Sequence, residues 1–298
     1  MSFVKLSTSR LAIIACGLLA AAICTSQATA AIIAQEDFQS YTAVVGDPGP
    51  DFGESGENGP GGWTSAWEEH DNPISSYVRS NLLPGYGKGL EIDNRDSSDS
   101  NILTRQFTAQ DDDFYVGFTM RTTMDQPDGN NHTLIYFSDA TTDDANDGYG
   151  AGTARNTSPN GPGFFFTRQG NNTTHTISTN QQVYGDLYDL VLKFSKSGGA
   201  ADPFDQIDVW INQGTEGAPD ITSTAGTAAL AELSTFHVWF DPRNMDPPER
   251  GRLALDNLVV ATTYDEARTL INNPVPEPSS LMLVGIGVAL LACRYRRS

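Results

Sequence analysis

"YDLVLKFSKSGGAADPFDQIDVWIN", residues 188–212, decides how the chain folds. In its first half Tyr188, Leu190, Leu192 and Phe194 fall on one side, while Asp189, Lys193 and Ser195 fall on the other. In its second half Ile207, Val209 and Ile211 share a side, opposite Asp208, Trp210 and Asn212. A side-chain period of two marks a strand with one buried face. Gly198, Gly199 and Pro203 stand between the halves, where a turn needs them. The stretch reads as two strands joined by a turn-rich link.

The same alternation recurs along the chain. "FYVGFTMRT" aligns Phe114, Val116, Phe118 and Met120, and "LSTFHVWF" aligns Phe236, Val238 and Phe240. "GRLALDNLVVATT" begins with Leu253 and Leu255 in phase and resumes with Leu258 and Val260, a slip that predicts a bulge near Asp256-Asn257. Shorter strand candidates are "YVRSNLL", "GLEIDN", "NILTRQF", "TLIYFSD" and "GFFFTRQ". Clusters of Gly, Pro, Asn and Asp separate them, among them "GDPGPDFGESGENGPGG", "DATTDDANDGYGAG" and "DPRNMDPPERG". Helical periodicity is confined to "TTYDEARTLIN" and "TAALAEL". Many amphipathic strands without βαβ alternation predict an all-β fold, a two-sheet antiparallel β-sandwich.

The two ends differ from this body. Lys5 and Arg10 precede an apolar run from Leu11 to Ile23, with Ala28 and Ala30 at small-residue cleavage positions. Residues 1–30 therefore read as a signal peptide with a short helix. At the other end Pro276-Glu277-Pro278 is followed by an apolar run and by Arg294, Arg296 and Arg297. The run Leu281 to Cys293 makes about 20 Å of helix against roughly 30 Å of hydrocarbon, a poor permanent anchor but enough for transient insertion in the inner membrane. Residues 31–273 remain as one domain, large enough to bury a core of its own. It holds none of the three cysteines, which are Cys16, Cys24 and Cys293, so no disulfide supports it.

The chain carries 18 Lys+Arg against 37 Asp+Glu, a net charge of −19. Five of the basic residues and only one acidic residue lie in the two ends, so the body is more acidic still. Such a surface repels nucleic acid and anionic lipid. It suits contact with neutral glycans or divalent cations, or simply solubility.

The C-terminus resembles the PEP-CTERM sorting signal on the residues just quoted. That resemblance implies export in a Gram-negative-type bacterium, processing by an exosortase-like enzyme, and association with extracellular polysaccharide. The body is similar to concanavalin A-like (LamG-like) jelly rolls. The likeness rests on "EDFQSYTAVVG" with "GGWTSAW" as opening strand and Gly-Trp loop, on residues 188–212 as paired strands, and on "LALDNLVVATTYDEA" as closing strand and exit. It implies the fold more than an activity.

Three candidate sites follow. Laminarinase-type glucanases of the same superfamily carry a Glu-x-Asp-x-x-Glu strand, whose alternating carboxylates serve retaining hydrolysis. "GLEIDNRDSS" offers Glu91, Asp93 and Asp96, with Asp in the last place and a turn directly after Asp93. "SDATTDDANDGYG" gathers Asp139, Asp143, Asp144, Asn146 and Asp147, oxygen donors of the kind calcium requires, in a spacing that is not an EF-hand; a solvated acidic loop is the other reading. Finally, Trp210 and Trp239 point away from the core faces of their strands, beside Asp208, Asn212 and His237. An aromatic face with polar groups at its rim is what a sugar ring needs, unless another part of the chain covers it. Trp63 and Trp67 read as packing residues. The expected function is a non-catalytic surface or matrix protein binding extracellular polysaccharide; the alternatives are a divergent glycoside hydrolase or lyase, or a passive matrix protein.

Overall fold

In a computed structural model the described residues are 31–43, 61–70, 75–80, 82–93, 101–123, 132–139, 148–155, 163–170, 176–199, 201–224, 230–241 and 252–272. The expected signal helix and the C-terminal apolar helix lie outside them. The strands, in chain order, are β1 (Ile32–Glu36), β2 (Glu68–His70), β3 (Ser75–Ser80), β4 (Lys88–Asp93), β5 (Asn101–Gln110), β6 (Phe114–Thr123), β7 (His132–Ser138) and β8 (Tyr149–Arg155). They continue with β9 (Gly163–Gln169), β10 (Thr176–Gln182), β11 (Tyr188–Ser195), β12 (Gln206–Ile211), β13 (Ile221–Ser223), β14 (Leu233–Asp241) and β15 (Arg252–Ala261). Two short helices close the domain, α1 (Tyr264–Ala267) and α2 (Thr269–Asn272).

The strands form two antiparallel sheets, as the period-two alternation predicts. Sheet I runs β13-β12-β11-β6-β15-β4-β3, with β1 also on β15; sheet II runs β10-β9-β8-β7-β14-β5-β2. The chain passes repeatedly from one sheet to the other, as in a jelly-roll sandwich. Every inward residue expected on β6, β11, β12, β14 and β15 lies in one shared core. Phe114 stacks on Phe194 with ring centroids 5.0 Å apart, and Phe137 of the facing sheet meets Phe194 at 4.8 Å. Full burial of each such ring contributes about 1.5–3 kcal/mol. Trp63 and Trp67 pack against this core, as expected.

The bulge falls where the phase slip placed it. The β15–β6 register breaks between Asp256 and Val259, and Asn257 takes φ +56°. Before the bulge β15 pairs with β4; after it the same edge pairs with β1. One extra residue thus lets a single strand serve two partners.

Several expectations are corrected. "EDFQSYTAVVG" is not the opening strand: pairing ends at Glu36, and Phe38 turns away at φ +56°. The Glu36 carboxylate accepts the backbone N–H of Phe38 at 2.9 Å, which favours that turn. In "TAALAEL", Leu230 to Glu232 are not helical and Leu233 begins β14. The turn-rich reading of "DATTDDANDGYGAG" overran, because Tyr149 starts β8. Gly150 and Gly152 are there for close approach: a Cβ on either would run into the carbonyl oxygen of Ile135 or Thr133 on β7.

Candidate functional site

Trp210 points out of sheet I, as the alternation requires, but it is covered. Thr263 caps α1 by accepting the Glu266 N–H, and its hydroxyl donates to the Glu266 carboxylate at 2.9 Å. The helix so started lays Tyr264 edge-on against the indole at 5.4 Å, while Tyr115 stands 6.3 Å from it. Trp210 Nε1 donates to the Gly217 carbonyl at 2.8 Å, and the residue is 4% exposed. Trp210 is therefore a packing residue and not a sugar platform. Its expected companions also serve the fold. Asp208 accepts from Thr222 Oγ1 at 2.6 Å and Gln206 Nε2 at 2.7 Å. Asn212, at φ +55°, accepts the Asp189 N–H at 2.8 Å.

On the outer face of sheet II, His237 is fully buried and stacks parallel to Tyr136 at 4.3 Å. Its Nε2 shares a 2.7 Å hydrogen bond with Ser138 Oγ. A serine within reach of an imidazole is the pairing nucleophilic catalysis uses, but both are buried and no reactant reaches them. His237 is thus not a binding residue. Trp239 is half-buried against Leu134, Tyr136, Ala154 and Phe166.

Glu91 and Asp93 share the outer face of β4, the other side from Leu90 and Ile92 in the core. Both are buried and bound to arginines. Glu91 pairs with Arg79 and, at 3.5 Å, with Arg252; Arg252 Nε reaches Asp93 at 3.4 Å. Carboxylates that spend their oxygens on arginines and lie out of solvent offer no groove to a scissile bond. This overturns the catalytic alternative for Glu91 and Asp93; Asp96 lies outside the described residues. Of the expected calcium ligands Asp139 is exposed, and Asp143, Asp144, Asn146 and Asp147 lie outside the described residues. Among the described residues no three His, Cys, Asp or Glu side chains gather closely enough to hold a metal ion.

Asp256 is 1% exposed in the bulge, where burial pushes its carboxyl pKa up to about 9. Oδ1 accepts the Asn257 N–H at 2.7 Å, and Oδ2 has no hydrogen-bond partner among the described residues. Beside it Thr119 donates to Asp189 at 2.9 Å and takes the Asn257 amide at 3.3 Å. Burial also raises Asp189. Thr119, Asp256 and Asn257 are buried and Asp189 is half-buried, and the network serves the bulge.

An open cleft lies elsewhere, at the edge of sheet II. Phe164 of β9 faces Gln181 of β10, and Phe166 faces Ile177. One residue separates the two phenylalanines, whereas three separate Ile177 from Gln181, so Ser178–Asn180 bulge from the ladder. The bulge is held by Asn180 N–H to Ser178 Oγ at 2.9 Å and Asn180 Nδ2 to Asp220 at 2.7 Å. Between it and the ring of Phe164 is a space of about 280 Å³. Its lining has no charged side chain, and Ile177 at its mouth is 55% exposed. Sequence reasoning missed this cleft. Three consecutive phenylalanines in "GFFFTRQ" were the available signal, since a strand cannot bury all three on one side.

Residues 274–297 match the PEP-CTERM protein-sorting motif. The motif marks the chain for export, processing by exosortase-type machinery and a final place at the cell surface or outside the cell. No curated protein sequence matches the chain. Among solved structures, a carbohydrate esterase of the Shiga toxin-encoding bacteriophage phi24B is 11% identical, over 67% of this chain and 91% of its own, with a TM-score of 0.46. An endo-β-1,4-glucuronan lyase from the fungus Trichoderma reesei is 13% identical, over 73% and 95%, with a TM-score of 0.42. The lectin UEA-II, complexed with galactose, is 9% identical, over 66% and 93%, with a TM-score of 0.45. These are likenesses of backbone course, and the sites of those proteins do not carry over to this chain.

Proposed function

We propose that the protein is a non-catalytic component of the cell surface or extracellular matrix that holds extracellular polysaccharide. The open, uncharged cleft of Phe164, Ile177 and the β10 bulge supports this reading. It joins an apolar ring to hydroxyl and amide groups, the composition a sugar requires. The commitment of Glu91 and Asp93 to Arg79 and Arg252 speaks against hydrolysis or elimination at those residues.

The test incubates the purified full chain with a panel of insoluble polysaccharides. Both depletion of protein and release of new chain ends are followed. Depletion without new ends is the expected result. Release of reducing ends or unsaturated products would establish an enzyme, and failure to deplete on any polymer would leave a passive matrix protein.

A further inference from the structure

We infer that the β9–β10 cleft is a subsite for a single neutral hexopyranose unit. This rests on the reading of the protein as polysaccharide-binding and says where, and for which class of sugar. Three observations carry it.

The first is the pairing of surfaces. A pyranose presents a C–H face and a rim of hydroxyls, each both donor and acceptor. Phe164 supplies a ring whose pose is set by Phe166, 6.4 Å away at 65°. Ile177, 55% exposed at the mouth, adds apolar surface beside that ring. Thr179 and Gln181 stand exposed at the rim with a hydroxyl and an amide, groups that donate and accept as sugar hydroxyls do.

The second is charge. The chain carries −19 and the cleft contributes no cation to offset it. A uronate or sulfated unit seated in the cleft would meet that field with no cation in the lining, Arg168 standing two residues beyond Phe166 on the same face of β9. A neutral sugar meets no such barrier.

The third is size and stiffness. The space of about 280 Å³ falls just under the range of pockets that enclose drug-sized ligands, which suits a single ring. The cleft lies on an edge strand of sheet II. Ser178 and Asp220 hold the bulge through Asn180, so little ordering is left for the moment of binding.

Affinity gel electrophoresis of the full chain tests this, with galactomannan, hydroxyethyl cellulose and dextran as neutral probes and alginate as the anionic one. Retardation is expected in at least one neutral gel and not in alginate. Phe164→Ala should weaken it about five- to tenfold, as loss of a stacking ring does. Phe164→Tyr should retain it. Ile177→Ala and Gln181→Ala, at exposed positions, should weaken it while leaving the melting temperature unchanged, which separates lost contact from lost fold. Neutral-polymer binding that all three alanine variants preserve would overturn the cleft and leave the polysaccharide reading intact. Alginate binding lost in the three alanine variants would overturn the neutral class. No retardation in any gel would overturn both.

Discussion

Glu36 of β1 and Arg105 of β5 form an ion pair enclosed between the two sheets, with side chains 1% and 0% exposed. Glu36 also accepts the Tyr41 hydroxyl at 2.8 Å, and the guanidinium lies over Trp63 at 4.8 Å and Trp67 at 5.4 Å. Burial raises the Glu36 carboxyl pKa, and Arg105 pulls it back. Arg105→Met should cost about 3–5 kcal/mol, because it strands the carboxylate. The double variant Glu36→Leu/Arg105→Met should recover most of that loss. Urea unfolding of both measures the difference, and a double variant as unstable as the single one would refute this account.

Gly117 on β6 lies directly beneath α1. A Cβ there would fall on the carbonyl oxygen of Ala267. Gly117→Ala should therefore push the helix off Trp210 and cost about 1–3 kcal/mol, as overpacking does. Near-ultraviolet circular dichroism should lose part of the signal of the Trp210, Tyr264 and Tyr115 cluster. An unchanged spectrum and melting temperature would show that the contact is slack.

Asp256 ties stability to pH. Its native pKa of about 9 stands above the ordinary 3.8, so the folded state keeps a proton that the unfolded state has released. The stability this group contributes is fully present below about pH 4 and is lost as pH rises toward 9, at up to ~1.4 kcal/mol per pH unit. Asp256→Asn should flatten the decline and raise the melting temperature at pH 8. A variant with the same slope as the parent would assign the slope to other groups, such as Asp189.

Glu91 should behave as a structural residue. Glu91→Gln weakens its pairing with Arg79 and Arg252, so the melting temperature should fall. Retention by neutral polysaccharide should stay as it was. A loss of binding or of product formation with an unchanged melting temperature would return Glu91 to the site.

The period-two alternation sorted inward from outward side chains on five strands, and the slip between Leu255 and Leu258 placed a bulge near Asp256-Asn257, where the register breaks. Both work because a buried face leaves an apolar imprint at each second position. β10 left no such imprint, since an edge strand of "TISTNQQ" is largely solvated on both sides. β8 was masked by its glycines, which look like turn residues but answer to the backbone of β7. At the candidate site, alternation said that Trp210 and His237 face out. It could not say what lies over them, because a cover such as Tyr264 comes from a distant part of the chain. The cleft escaped notice because a bulge between two strands depends on register, which no single strand displays.

The closing helices give the sandwich a polarity. α2 ends at Asn272 on the outer side of sheet I, two positions before the sorting motif begins at residue 274. Phe164 and Ile177 open on the outer side of sheet II. The described chain thus ends on the face of the sandwich opposite the cleft. The helix whose Tyr264 buries Trp210 is the element that carries the chain to that face.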